Sequence, residues 1–358
     1  MRKNFIITTA GGLGNQIMQY GLWLYLKKKG EKAEFYLCKD NLSGCLYKGD
    51  INRIDCVSRF LGKNYKVIQK CLGKLYHILK IRTKYYSFFN YRIIDFPQWN
   101  DYKVLYEILP LLRETLQFPQ DNDNRNVEIK KLMQKTDSVS VHIRRGDYQN
   151  DIRWRLILGD ICDAQYYNDA IAIVRKKFNS SKFFIFSDDI QWVKENLSIP
   201  NSVYIDWNVG DISFRDMELM TYCKANIIAN STFSLCAALM NGTEAPIRIA
   251  PSKWLNNIND DLGNKYLNKD WIVIDNKKPQ VSLITKGNLS KENIKNLMKQ
   301  TYNDFEVISS QVIDDKRFHN GKPSGNHILQ LDQNVLISIR NKLFLKKWME
   351  KQLQEGFA

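Results

Sequence analysis

The chain has 358 residues, 44% of them hydrophobic and 25% charged, and a formal net charge of +15. That length accommodates two domains and a further segment, and the ordinary composition excludes a disordered or fibrous protein. The positive excess points to an anionic partner: a nucleotide, a phosphorylated substrate, nucleic acid or an anionic membrane surface.

In chain order, Phe5 to Thr9 predicts a buried strand, Ala10 to Gly14 a glycine turn, and Asn15 to Lys29 a helix stopped by three lysines and Gly30. The turn is no dinucleotide fingerprint, because position 17 is Ile17 and no Walker lysine follows. It does permit close backbone approach to a ligand at a helix N-terminus, beside the side-chain amides of Asn15 and Gln16. A plain tight turn is the alternative. The apolar run Tyr20 to Leu26 is far short of the ~18–20 residues of a membrane span. Gly11, Gly12 and Gly14 interrupt the apolar start behind Met1-Arg2-Lys3 before any signal segment forms, so a cytoplasmic protein is expected.

Lys63 to Lys84 reads as an amphipathic basic helix, with Val67, Cys71, Leu75 and Leu79 on one face and Lys63, Lys66, Lys70 and Lys74 on another. A packed helix with a solvated basic face is preferred there over one lying on an anionic membrane. Leu105 to Phe118 predicts a further helix. Asp121-Asn122-Asp123 has the Asp-x-Asp form used by metal-dependent transferases, but no strand precedes it, and a solvated loop is expected. The seven cysteines include no Cys-x-x-Cys pair, and His77, His142, His319 and His327 lack ligand spacing, so free thiols and no zinc framework are expected.

Ser138 to Ile143 alternates polar and apolar residues as a strand does, then breaks into Arg144, Arg145, Gly146 and Asp147. Two guanidiniums at the end of a buried strand keep their charge and need carboxylate or phosphate partners. Surface arginines paired with Asp147 or another acid, and an anion site, are equal readings on spacing alone. Beyond them, helices at Ala164 to Phe178, Ile190 to Asn196, Phe214 to Cys223 and on through Met240 alternate with strands. Those strands are placed at Lys182 to Ser187, Val203 to Asp206, Ala225 to Ala229 and Ile247 to Ala250. Such units predict a parallel, doubly wound sheet, which binds ligands at the carboxyl ends of its strands. His142 to Asp147, Ser187 to Asp189 and Asn230 to Ser234 all fall at such ends. Arg144 and Arg145 suit a diphosphate. Ser231, Thr232 and Ser234 suit phosphate oxygens at a helix start. Asp188 or Asp189 suits the hydroxyls of a ribose or the N–H donors of a base.

Taken together, Gly11-Gly12-Leu13-Gly14-Asn15-Gln16, Val141-His142-Ile143-Arg144-Arg145-Gly146-Asp147-Tyr148, Phe186-Ser187-Asp188-Asp189 and Ile228-Ala229-Asn230-Ser231-Thr232-Phe233-Ser234 resemble the alpha-1,2-fucosyltransferase family. The resemblance covers roughly the first three quarters of the chain. It implies a GT-B-like α/β fold with two Rossmann-like domains facing a cleft, 1–135 on the acceptor side and 136–278 on the donor side. It implies transfer of L-fucose from GDP-β-L-fucose to the 2-hydroxyl of a terminal galactose, with inversion and with no metal or other cofactor. The roles it implies are Arg144 as diphosphate clamp and His142 and Asp147 as its neighbours. Ser231 to Ser234, Asn230 and Phe233 included in their loop, would contact phosphate, and Gly12, Gly14, Asn15 and Gln16 would face fucose and acceptor. Asp147 is the first candidate for general base and His142 the second. The family's usual Ser-Trp-Trp is Ser234-Leu235-Cys236 here, which leaves the packing behind that loop open.

After Lys278 the likeness stops. Val281 to Ile284 and Gln300 to Ile308, with Asp314-Asp315, resemble the opening of a family 2 glycosyltransferase, too short for a whole domain. Residues 279–358 are read as a structural appendage ending in a basic amphipathic helix, about Val335 to Leu353. The expected setting is bacterial surface-polysaccharide synthesis on a glycan acceptor, lipid-linked in one version, with peripheral contact at the inner face of the cytoplasmic membrane. Another nucleotide sugar remains open as donor. So does a non-enzymatic basic protein binding anionic lipid or nucleic acid, which the dispersed charge and missing nucleic-acid motifs disfavour.

Overall fold

Among the described residues, three sheets follow one another along the chain. The computed structural model describes residues 4–8, 11–36, 86–88, 91–94, 102–257, 259–285, 287–300, 302–309, 313, 317–319, 322–339 and 341–355. The basic helix expected at Lys63 to Lys84 and the Asp314-Asp315 pair lie outside them. The first sheet has the order β2-β1-β4-β3, from β1 (Asn4–Thr8), β2 (Lys32–Tyr36), β3 (Tyr86–Phe88) and β4 (Tyr91–Ile94). β1 runs parallel to both neighbours, and β3 closes the edge antiparallel to β4. The helix Leu13–Lys28 starts two residues earlier than the turn signal suggests. It packs Ile17, Leu22 and Leu24 into a core shared with Leu105, Ile108 and Leu112 of the helix Tyr102–Thr115.

The second sheet is wholly parallel, in the order β10-β9-β8-β5-β6-β7. Its strands are β5 (Asp137–Ile143), β6 (Ser181–Ser187), β7 (Ser202–Ile205), β8 (Ala225–Ile227), β9 (Ile247–Pro251) and β10 (Ile272–Ile274). The strand order reverses between β5 and β8, the dinucleotide-fold arrangement that opens a crevice at the carboxyl ends of those two strands. Both faces are covered, so β5 is buried in its polar phase as well as its apolar one. Val139, Val141 and Ile143 enter one core, while Ser138, Ser140 and His142 are no more than 6% exposed. Ser140 meets this by accepting the Asn226 side-chain amide at 2.7 Å. Together the two units give the GT-B-like α/β arrangement.

Asp121 to Asp123 is a helix start as well as a loop. Asp123 accepts the Arg125 N–H and caps the helix Asn124–Lys135, and Asp121 lies 3.4 Å from the Arg215 guanidinium. The third sheet is parallel in the order β13-β12-β11-β14, from β11 (Val281–Ile284), β12 (Phe305–Ile308), β13 (Phe318–His319) and β14 (His327–Gln330). The single terminal helix expected over Val335 to Leu353 is two, Gln333–Ser338 and Phe344–Glu355. The apolar face of the second, Leu345, Met349 and Leu353, is buried in the third core and is covered by this chain itself. Lys253 and Asp304, 5% and 3% exposed, form a buried ion pair of 2.8 Å between the second and third units. No helix among the described residues is long and apolar enough to cross a membrane.

Candidate functional site

The carboxyl ends of β5, β6 and β8 and the glycine loop after β1 open on one cavity of about 620 Å³. A slightly larger cavity, about 690 Å³, lies between the helices Tyr102–Thr115 and Asn124–Lys135; Asp121 lines it, but none of the glycine-loop, arginine or Asn230 to Ser234 motifs does. Two of its cations are already engaged: Arg113 donates to the Leu239 and Asn241 carbonyls, and Lys130 to the Tyr222 hydroxyl. The chemistry belongs to the smaller one.

Arg144 stands where β5 ends. Its guanidinium lies 2.7 Å from Asp147 Oδ1 and 2.8 Å from Asp188 Oδ2, with the Tyr148 ring 5.5 Å away. About a third of the side chain remains exposed toward the cavity. Asp188 also accepts the backbone N–H of Arg145 at 2.8 Å. This geometry explains Gly146, since a Cβ there would sit 2.6 Å from the Asp188 carboxylate. Arg145 turns the other way. It binds Asp189 at 3.1 Å and lies 4.0 Å over the Trp192 ring, outside the cavity lining. Asp189 in turn caps the helix Ile190–Asn196, and Ser187 accepts the Asp189 N–H at 3.0 Å.

His142 is buried beside the Phe233 ring at 5.5 Å, and its Nδ1 has no hydrogen-bond partner among the described residues. Burial drives its pKa down to about 4, Asp188 opposing and Arg144 reinforcing the shift. The imidazole is therefore neutral at pH 7. Tyr148 is pushed up to about 12 by burial and stays a phenol. On the facing unit, Gln16 donates to the Gly11 carbonyl at 2.8 Å, and its buried Oε1 has no partner among the described residues.

The two units touch at two helix starts. A Cβ on Gly14 would lie 2.3 Å from the Thr232 carbonyl carbon, so only glycine allows the approach. Cys236 Sγ donates to the Gly14 carbonyl at 3.3 Å, which is how the Ser234-Leu235-Cys236 variant packs behind the loop. Burial pushes that thiol up to about 12, so it remains protonated. Ser231 caps the helix Thr232–Met240, accepting the Phe233 N–H at 3.3 Å. Asn230 donates to the Leu158 and Trp254 carbonyls, and Ser234 to Ser231, so both hold the loop from behind.

Of the residues singled out from sequence, the cavity wall gathers Gly12, Gly14, Asn15, His142, Arg144, Asp147, Ser187, Asp188, Ser231, Thr232 and Phe233. Arg145, Asp189, Asn230, Ser234 and Gln16 lie behind it. Sequence reasoning missed Asp216, Asn208 and Trp154, which line the same wall. Trp154 is 46% exposed at the mouth. Asp216 accepts the Asn208 amide at 2.9 Å, and burial lifts its carboxyl to about 7. Its one sequence signal is a carboxylate in a short run otherwise rich in apolar residues, Phe214, Met217, Leu219 and Met220.

Residues 1–275 match the family described as Glyco_transf_11, glycosyl transferase family 11. Alpha-1,2-colitosyltransferase of Escherichia coli is 31% identical over 280 residues, covering 68% of this chain and 90% of that protein. The Escherichia coli O-antigen biosynthesis glycosyltransferase WbnK is 28% identical over 288 residues, 68% of this chain and 93% of its own. Human galactoside alpha-(1,2)-fucosyltransferase 1 is 31% identical over a shorter stretch of 116 residues, 29% of each chain. A match over three quarters of the sequence, carried by motifs that fold around one cavity, places this chain in glycosyltransferase family 11, the alpha-1,2-fucosyltransferase family.

Proposed function

We propose that the protein transfers L-fucose from GDP-β-L-fucose to the 2-hydroxyl of a terminal galactose in a glycan, with inversion and without a metal ion. The observation that carries this is Arg144, a guanidinium fixed at the switch point of a parallel sheet and facing the glycine loop across the cavity. A diphosphate offers the bidentate oxygens that guanidinium binds best, and can displace the single contact from Asp147. As the bond from the anomeric carbon to phosphate oxygen breaks, the electron pair leaves with GDP. Fixed positive charge beside that oxygen stabilises it, the task a divalent cation performs elsewhere. Ser231 and the N–H groups that open the helix Thr232–Met240 would hold further phosphate oxygens. His142, neutral and with an unpartnered Nδ1, would hydrogen-bond the donor rather than carry charge. The acceptor hydroxyl would enter from the side of Gly12, Gly14, Asn15 and Trp154, opposite the leaving group.

The galactosyl acceptor follows the alpha-1,2 relatives by name, and a lipid-linked acceptor would suit the O-antigen relative. A second donor reading comes from the colitosyltransferase, whose name points to a different deoxy sugar on a similar chain. Incubating the purified protein with GDP-fucose and lactose in EDTA tests the proposal. A trisaccharide carrying one added fucose, with GDP released in equal amount, is the expected result. Release of GDP from another GDP-sugar but not from GDP-fucose would move the donor assignment, and no turnover of any GDP-sugar would overturn the proposal.

A further inference from the structure

We propose that Asp216 accepts the proton of the attacking acceptor hydroxyl. The inference rests on the transfer reaction above and assigns its general base. The other ionisable groups in the cavity wall are committed or of the wrong basicity. Asp188 engages Arg144 through one oxygen and the Arg145 N–H through the other. Asp147 stands beside Arg144, on the side of the leaving diphosphate and away from the entering hydroxyl, and is 46% exposed. His142 is buried and too weakly basic near neutrality, and Tyr148 holds its proton.

Asp216 alone in that wall faces a neutral partner. Its Oδ1 accepts from Asn208 Nδ2 at 2.9 Å, and Oδ2 makes no bond among the described residues. Asn208 is 4% exposed and cannot swing, because it exchanges hydrogen bonds of 2.9 and 3.1 Å with the buried Asn126. Trp207 Nε1 donates to the same Asn126 oxygen at 2.8 Å. A rigid amide network thus points one carboxylate at the cavity, as a preorganised base requires.

The surrounding charges are satisfied elsewhere. On the helix Asn124–Lys135, Arg125 is paired with Asp123, and Lys130 lies against Tyr222 and Glu218. On Asp216's own helix, Phe214–Met220, Arg215 binds both Glu218 and Asp121. The helix Thr232–Met240 contributes only the Cys236 thiol, and Asp211 of the flanking turn is exposed. Across the cavity stand His142, Arg144, Asp147 and Asp188. With no cation beside it, burial sets the proton affinity of Asp216 near 7, which matches a general base working close to neutral pH. In the step itself, the acceptor oxygen bonds to the anomeric carbon and the bond to phosphate oxygen breaks. GDP keeps that electron pair, and the hydroxyl proton passes to Oδ2 and then to solvent.

Asp216→Asn preserves size and the Asn208 bond, and its kcat should fall by about 10²–10⁴-fold, the usual worth of a general base. Its Kd for GDP should stay within about twofold of wild type, and the rise of wild-type kcat/KM with pH through about 7 should vanish. Asn208→Ala removes a donor that favours the carboxylate, so the same limb should move to higher pH. A variant Asp216→Asn with wild-type kcat and an unchanged pH profile would overturn the assignment while leaving the transferase reading intact. Wild-type protein that binds no GDP would instead overturn that reading, and the base with it.

Discussion

The Thr232 hydroxyl donates to Asn15 Oδ1 at 2.6 Å, across 217 positions of sequence. Asn15 lies in the first turn of the helix Leu13–Lys28 and Thr232 opens the helix Thr232–Met240, so two helix starts from different units meet end to end. That contact sets the glycine loop over the cavity and fixes the distance between the two sides of the site.

Gly14→Ala tests the contact. The added methyl would lie 2.3 Å from the Thr232 carbonyl carbon, and backbone on both sides cannot yield without parting the units. We expect a stability loss of about 1–3 kcal/mol and, because a shift of about 1 Å misaligns reacting groups, a fall in kcat of about 100-fold. Denaturant titration and a transfer assay would check both, and a fully active Gly14→Ala would contradict the closeness of this approach.

Arg145→Ala separates the adjacent arginines. Arg145 binds Asp189 and covers Trp192 away from the cavity, so its loss should cost about 1 kcal/mol of stability and leave the Kd for GDP within about twofold. Calorimetric titration with GDP measures this. A tenfold weaker complex would place Arg145 in the binding machinery after all.

The third unit is joined to the second through Lys253 and Asp304, where burial pushes the Asp304 carboxyl upward despite an ammonium at 2.8 Å. Lys253→Met leaves that carboxylate buried without its partner and should destabilise the protein by about 3–5 kcal/mol. Urea titration would read the change, and a loss below about 1 kcal/mol would show that the pair does not join the units.

Stability should also fall in acid through His142. Its folded pKa, about 4, lies below the ordinary value of 6.5, so the unfolded chain binds the proton first as pH falls from about 6.5 toward 4. The sign is therefore a loss of stability over that window, at most about 3 kcal/mol. His142→Gln should lack this component. Urea midpoints of both proteins at pH 7.5 and 4.5 provide the check, and an equal acid loss in the two would contradict it.

The second unit of the fold was legible because its signals are local. β5 is a buried run ended by charge and glycine, and β6 and β8 each lead into a polar cluster of their own. The order of those strands, with its reversal beside β5, made the clusters converge. What was illegible depends on contacts remote in sequence. Nothing in Arg-Arg tells which guanidinium enters the cavity; the backbone at Arg145 decides that by turning its side chain onto Trp192. Asp216 gains its character from Asn208 and, through it, from Asn126, 82 positions before Asn208. The helix Asn124–Lys135 is so polar that its cap, Asp123, resembles a solvated loop until the Arg125 N–H is seen to bind it.

GDP binding to wild-type protein and to Arg144→Ala, measured by calorimetry with EDTA present, tests the central claim most directly. We expect wild type to bind GDP without metal and Arg144→Ala to bind at least about 100-fold more weakly, the worth of a charge-assisted bidentate contact of about 3 kcal/mol. Equal affinities in the two proteins would show that Arg144 does not hold the diphosphate.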